Sequence, residues 1–234
     1  MLASLPEQPP PLTDPALVYE PKYDGIRAIV QVVPASPRAQ VRIWSRLGNE
    51  KSAQFPDVVE ALGAWGRALA GPVVLDGEMV ALGSDGAPAG FQRLQRRIHV
   101  SVPGYRSKAP IVDASAQPAA FIVFDLLQNG VDDLRSKPLT ERHAQLETLF
   151  AAHPTTAHPT ASHPAAAHST GAWPLLRLAE QDRGDGRALM ARAKAEGWEG
   201  LLVKHARSPY RTGKRSPEWR KLKLLQQDEF VIGG

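Results

Sequence analysis

A chain of 234 residues with 43% hydrophobic content can bury a sizeable core, which excludes wholesale disorder. It contains no cysteine, which excludes disulfide frameworks and thiolate metal sites and leaves stability to packing and hydrogen bonding. The formal net charge is only +4, and neither a basic leader nor a long apolar run is visible, so the sequence reads as a soluble, cytoplasmic protein with no membrane partner.

In chain order, the proline-rich segment Pro6 to Pro15 belongs to an extended lead-in over residues 1–16. Short apolar runs bounded by turn residues then predict strands at Ala28 to Val33, Val41 to Ser45, Val73 to Leu82, Phe121 to Leu127, Gly200 to Lys204 and Trp219 to Leu225. Helical spacing predicts helices over Pro56 to Ala70, Leu139 to Ala152 and Arg187 to Glu196. The first has a proline in its opening turn and the last a stop signal at Gly197. The expected class is α+β. Within it, residues 152–170 are low in complexity: His153, His158, His163 and His168 recur every five residues, and three of them precede proline. Proline scatters the imidazoles, so the tract reads as an adventitious insertion and not as a metal site.

The positive charge is concentrated. Lys204, Arg207, Arg211, Lys214, Arg215, Arg220, Lys221 and Lys223 stand against the single acid Glu218. A second acid-free stretch holds Arg93, Arg96, Arg97, Arg106 and Lys108. Such clusters attract the phosphates of a nucleotide or of a nucleic-acid backbone. In Trp219 to Lys223, strand alternation puts Trp219, Lys221 and Lys223 on one face, with the two lysines about 7 Å apart, close enough to reach one phosphate. Asp76 and Glu78 likewise share a strand face, as a metal or ribose-hydroxyl site requires, with Glu78 the preferred candidate.

The run Glu20-Pro21-Lys22-Tyr23-Asp24-Gly25-Ile26-Arg27 crowds a lysine, an acid and an arginine beside a glycine that permits a tight turn. Four further segments follow in order. They are Ser45-Arg46-Leu47-Gly48, Leu75-Asp76-Gly77-Glu78, Phe121 to Leu127, and the pair Glu199 to Lys204 with Trp219 to Lys223. This ordered set resembles the nucleotidyltransferase motifs of the covalent family of DNA ligases, RNA ligases and mRNA capping enzymes. Within that family it looks most like the adenylation domain of bacterial ATP-dependent DNA ligases of the compact end-joining type. The resemblance runs from about Leu17 to the last residue, with the His-Pro tract as its main departure.

The resemblance implies an ATP-grasp-like domain of mostly antiparallel sheets flanked by helices over 17–228. Residues 229–234 resemble the start of an OB-fold domain that is otherwise missing, so weak sealing by this chain alone is expected, with no room before Met1 for another DNA-binding domain. Lys22 would be the nucleophile on ATP, and the backbone around Glu20 would read the adenine edge. Arg27 and Arg46 would hold ribose or phosphate, Phe124 would stack on the base, and Lys204, Lys221 and Lys223 would contact phosphates. Glu78 and Glu199 would bind Mg2+ or Mn2+, Glu78 alternatively the ribose hydroxyl, while Asp24 would orient the loop. The implied partner is nicked or broken double-stranded DNA, with repair or end-joining proteins, for a monomer near the nucleoid. The alternatives are an RNA ligase, a capping-type guanylyltransferase and a catalytically silent nucleic-acid-binding module. The chemistry agrees with the resemblance: a free lysine amine has a pKa of about 10.4, so an enzyme using one as a nucleophile needs nearby cations that disfavour the ammonium. The same cations would stabilise charge on the transferring phosphoryl group.

Overall fold

The structure is a computed structural model that describes residues 1–98, 118–153 and 174–224. Its elements in order are Leu2–Ser4 (β1), Thr13–Pro21 (β2), Ile26–Val33 (β3), Gln40–Ser45 (β4), Pro56–Trp65 (α1), Val73–Leu82 (β5), Pro88–Ala89 (β6) and Gln95–Ile98 (α2). After these come Ala119–Asn129 (β7), Asp132–Asp133 (β8), Leu139–Ala152 (α3), Leu176–Leu178 (β9), Asp182–Asp185 (β10), Arg187–Ala195 (α4), Gly200–His205 (β11) and Arg215–Lys223 (β12). The fold is mixed α/β with two mostly antiparallel sheets and few helices, as expected from the sequence. Among the described residues no helix is long and apolar enough to cross a membrane.

The described chain divides into two compact units. The first comprises residues 1–22, 181–206 and 211–224 and holds a sheet in the order β1-β12-β11-β2-β10, in which only the β1·β12 pairing is parallel. Leu17 and Tyr19 of β2 and Leu201 and Val203 of β11 alternate onto one face, where they pack on Leu189, Met190 and Ala193 of α4. Helix α4 ends as expected: Gly197 takes φ +68°, and the Trp198 N–H donates to the Ala193 carbonyl. Within residues 1–16, Leu2–Ser4 is an edge strand on β12, and Thr13–Pro21, which begins there, runs between β10 and β11.

The second unit, the described residues within 23–180 together with 207–210, holds a sheet in the order β4-β3-β5-β7-β8, with β6 on β5 and β9 parallel to β7. Ala28, Val30, Val32, Leu75, Met79, Phe121 and Val123 face a core closed by Val58, Leu62 and Trp65 of α1 and Leu146 and Phe150 of α3. Each large aliphatic side chain buried there contributes about 1.5–3 kcal/mol. The predicted helix over Pro56 to Ala70 stops at Trp65 and continues as a 3-10 turn from Gly66 to Ala68, glycine being a poor helix former. The register of β7 against β5 slips at two places, which sets Phe124 and Leu127 as bulge residues.

Candidate active site

In the first unit, strand register builds a polar face opposite the α4 core. Glu20 pairs with Leu202, which pairs with Lys221; Lys204 pairs with Trp219; and Gly200 pairs with Lys223. The Lys22 N–H donates to the Gly200 carbonyl at 2.9 Å and extends the ladder past the end of β2. Because residues in register project to the same side, Glu20, Lys22, Lys204, Trp219, Lys221 and Lys223 gather on one face. Gly200 has no side chain in the row between Lys22 and Lys223. It sits at φ +137°, and a Cβ there would lie 2.1 Å from the Leu222 carbonyl oxygen, so the position is closed to larger residues. Across it Lys22 Nζ forms an ion pair with Glu199 Oε2, and Lys223 Nζ lies 3.7 Å from Glu199 Oε1.

Next to this group a second carboxylate is held. Glu20 Oε1 accepts from Gln181 Nε2 at 2.6 Å, and Glu20 Oε2 lies 2.5 Å from Lys204 Nζ. Both charged side chains are buried, and the Lys204 ammonium also lies 4.2 Å from the centroid of the Trp219 ring. The structure thus gives the Lys204 charge an internal partner in Glu20. Lys221 is pushed below the ordinary lysine pKa by burial, then by the positive charge of Lys22, against the opposing pull of Glu199.

In the second unit, Arg27, Asp76 and Glu78 lie on the sheet face opposite the core, with Arg27 and Glu78 in register. Arg27 binds Asp76 bidentately, Nε to Oδ1 at 2.9 Å and Nη2 to Oδ2 at 2.5 Å, and the Tyr210 hydroxyl donates to Asp76 Oδ2 at 2.7 Å. Burial alone would lower the Arg27 pKa, but the Asp76 carboxylate outweighs it and holds the guanidinium protonated. The Arg27 guanidinium also lies 5.2 Å from the centroid of the Phe124 ring, which the bulge in β7 places there. Glu78 is half-buried, and Arg46 is exposed in the turn after β4. Asp24 Oδ2 accepts the Phe91 N–H at 2.9 Å, a contact that anchors its loop.

Sequence reasoning left out Gln181, Tyr210, and the buried pair in which Arg142 binds Asp125 through Nε and Nη2, both at 2.8 Å. These partners are remote in the chain, and no local pattern marks them. Asp76 ranked below Glu78 in the sequence, yet it is fully buried between Arg27 and Tyr210. Arg106, Lys108, His158, His163, His168 and residues 229–234 lie outside the described residues. Among the described residues no three His, Cys, Asp or Glu side chains gather as a metal site.

Comparison with known proteins shows the family of the chain. The profile of the family described as ATP dependent DNA ligase domain matches residues 1–223, and the chain belongs to that family. A probable DNA ligase of Anaeromyxobacter sp. (strain Fw109-5) is 32% identical over 213 residues, covering 90% of this chain and 34% of that protein. The SPbeta prophage-derived DNA ligase-like protein LigB of Bacillus subtilis is 29% identical over 224 residues, covering 96% of this chain and 67% of that protein. Among solved structures, mycobacterial DNA ligase D complexed with ATP and MES is similar at a TM-score of 0.66 and 28% identity, over 95% of this chain and 58% of that one. The ligase domain of M. tuberculosis LigD matches at the same TM-score and 26% identity, over 95% of this chain and 59% of that one. This chain spans about a third of the length of several of the curated relatives.

Proposed function

We propose that this adenylation domain charges itself with AMP at Lys22 and passes the AMP to DNA. The unprotonated Lys22 amine attacks the α-phosphorus of ATP; a P–N bond forms, the bond from the α-phosphorus to the bridging oxygen breaks, pyrophosphate leaves, and the lysine nitrogen gives up a proton. AMP then moves to the 5′-phosphate of a nick or break, and the adjoining 3′-hydroxyl displaces it as the strand is sealed. Before attack, Lys22 must release Glu199, with which it forms an ion pair. The clustering of Lys22 with Lys221, Lys223 and Glu199 on one sheet face is the observation that carries this reading, because those cations can take up charge on the phosphoryl oxygens.

Arg27 and Arg46 serve as ribose or phosphate contacts, Phe124 as a stacking ring, and the Glu20 backbone as the reader of the adenine edge. Lys204 acts on the phosphates from beside Glu20. In the second unit Glu78, and in the first Glu199, would each bind Mg2+ or Mn2+: both are carboxylates, and Glu199 already pairs with the cationic Lys22 and Lys223. The metal supplies neutralisation of phosphate charge. This reading carries with it an ATP-grasp-like architecture over 17–228, a dispensable tract at 152–170, and work in the cytoplasm on nicked or broken duplex DNA with repair partners. The ATP of the similar ligase D structure supports the choice of nucleotide.

Incubation with labelled ATP or GTP followed by a denaturing gel tests it. Labelling by ATP that disappears in Lys22→Ala is expected; exclusive labelling by GTP would instead indicate a capping-type enzyme, and equal labelling of Lys22→Ala would remove the nucleophile.

A further inference from the structure

Two buried carboxylates, Asp76 and Asp125, face each other in register across β5 and β7. Each is held by a different arginine, Asp76 by Arg27 and Asp125 by Arg142. Like charges this close stay buried only when each has its own cation and hydrogen bonds. Tyr210 touches both ion pairs. Its hydroxyl donates to Asp76 Oδ2 at 2.7 Å, and its ring centroid lies 5.8 Å from the Arg142 guanidinium carbon. Its backbone is fixed as well: the Tyr210 N–H donates to the Arg135 carbonyl at 2.7 Å, and Arg142 Nη1 donates to the Ser208 carbonyl at 3.0 Å. Arg27 Nη2 approaches the Tyr210 oxygen at 3.4 Å, closing a triangle of Arg27, Asp76 and Tyr210.

We infer that Tyr210 is a positioning residue for Arg27, which by fixing one oxygen of Asp76 sets the plane in which the Arg27 guanidinium meets the nucleotide. The inference rests on the reading of Arg27 as a ribose or phosphate contact. An aspartate carboxylate turns easily about its terminal bond, and a guanidinium bound to it bidentately turns with it. A neutral donor on Oδ2 stops that rotation without adding charge. Burial, and next the negative charge of Asp76, push the Tyr210 phenol well above its ordinary pKa, so the hydroxyl remains a donor. An arginine already oriented loses less freedom when the substrate arrives.

The test is a double-mutant cycle of Tyr210→Phe and Arg27→Ala in single-turnover lysine adenylation, with KM read as the ATP concentration giving half the limiting rate and kcat as that limiting rate, accompanied by thermal melts. Tyr210→Phe should raise KM about tenfold with kcat nearly unchanged, the size expected for a hydrogen bond to a charged group. With Arg27→Ala present, the same substitution should change KM by less than about twofold. Equal effects in both backgrounds, or a lowered Tm with unchanged KM, would overturn the inference and reduce Tyr210 to a folding role. If Arg27→Ala alone left KM unchanged, the assignment of Arg27 as a nucleotide contact would fail, and the inference with it; loss of labelling in Lys22→Ala would still be judged separately.

Discussion

The buried Lys204 ammonium lies 2.5 Å from Glu20 Oε2, so two strands of one sheet are tied by an ion pair with almost no exposure to water. Removing one member of such a pair strands the other charge in a medium that solvates it poorly. Lys204→Met should therefore destabilise the protein by about 3–5 kcal/mol, read from the urea unfolding midpoint. Glu20 would keep its hydrogen bond from Gln181, which places the loss toward the lower end. A loss below about 1 kcal/mol would show that water or another cation reaches the carboxylate.

Gly25 is closed to side chains by its neighbour. A Cβ at this position would sit 2.1 Å from the Met79 carbonyl oxygen, which is backbone and cannot swing aside. Gly25→Ala should lower stability by about 1–3 kcal/mol, the usual cost of overpacking, and depress adenylation by displacing the loop between Lys22 and Arg27. Thermal melts with a labelling assay check this; an unchanged Tm would refute the close packing.

Alkaline pH should separate Lys221 from an ordinary lysine. Its folded-state pKa is lowered, so the charged form opposes folding at low pH, and that opposition fades as pH rises through the folded value toward the unfolded one. The same direction makes the side chain lose its charge early. ATP affinity, followed by titration calorimetry, should decline on the alkaline side before ordinary lysines titrate at about 10.4. Lys221→Arg, charged throughout that range, should flatten the decline. Superimposable profiles for the two proteins would contradict the role of Lys221 at phosphate.

Much of the scaffold was legible in the sequence. The apolar runs Ala28 to Val33 and Val73 to Leu82, and the helical spacing from Leu139 to Ala152, announced their elements because their apolar side chains pack on a core. The short strands were hidden: Asp182–Asp185 is Asp-Arg-Gly-Asp, with no apolar residue to reveal it. The resemblance gave Lys204 a role at phosphate, and nothing in the sequence revealed that it would be buried against Glu20 and Trp219. Tyr210 with Asp76, and Arg142 with Asp125, are long-range partnerships that only the folded topology creates.

The basic run from Lys204 to Lys223 predicts electrostatic binding to duplex DNA. Affinity for a nicked duplex, followed by fluorescence anisotropy, should fall steeply and log-linearly with salt as phosphates release counterions. A flat salt profile would argue against backbone contacts by this segment.

The central claim is that Lys22 becomes covalently bonded to AMP. Intact-protein mass spectrometry after incubation with ATP and Mg2+ tests it most directly. The account predicts one added AMP per chain, mapped to Lys22 by peptide fragmentation and absent in Lys22→Ala; an unmodified wild-type mass, or an adduct on another residue, would contradict it.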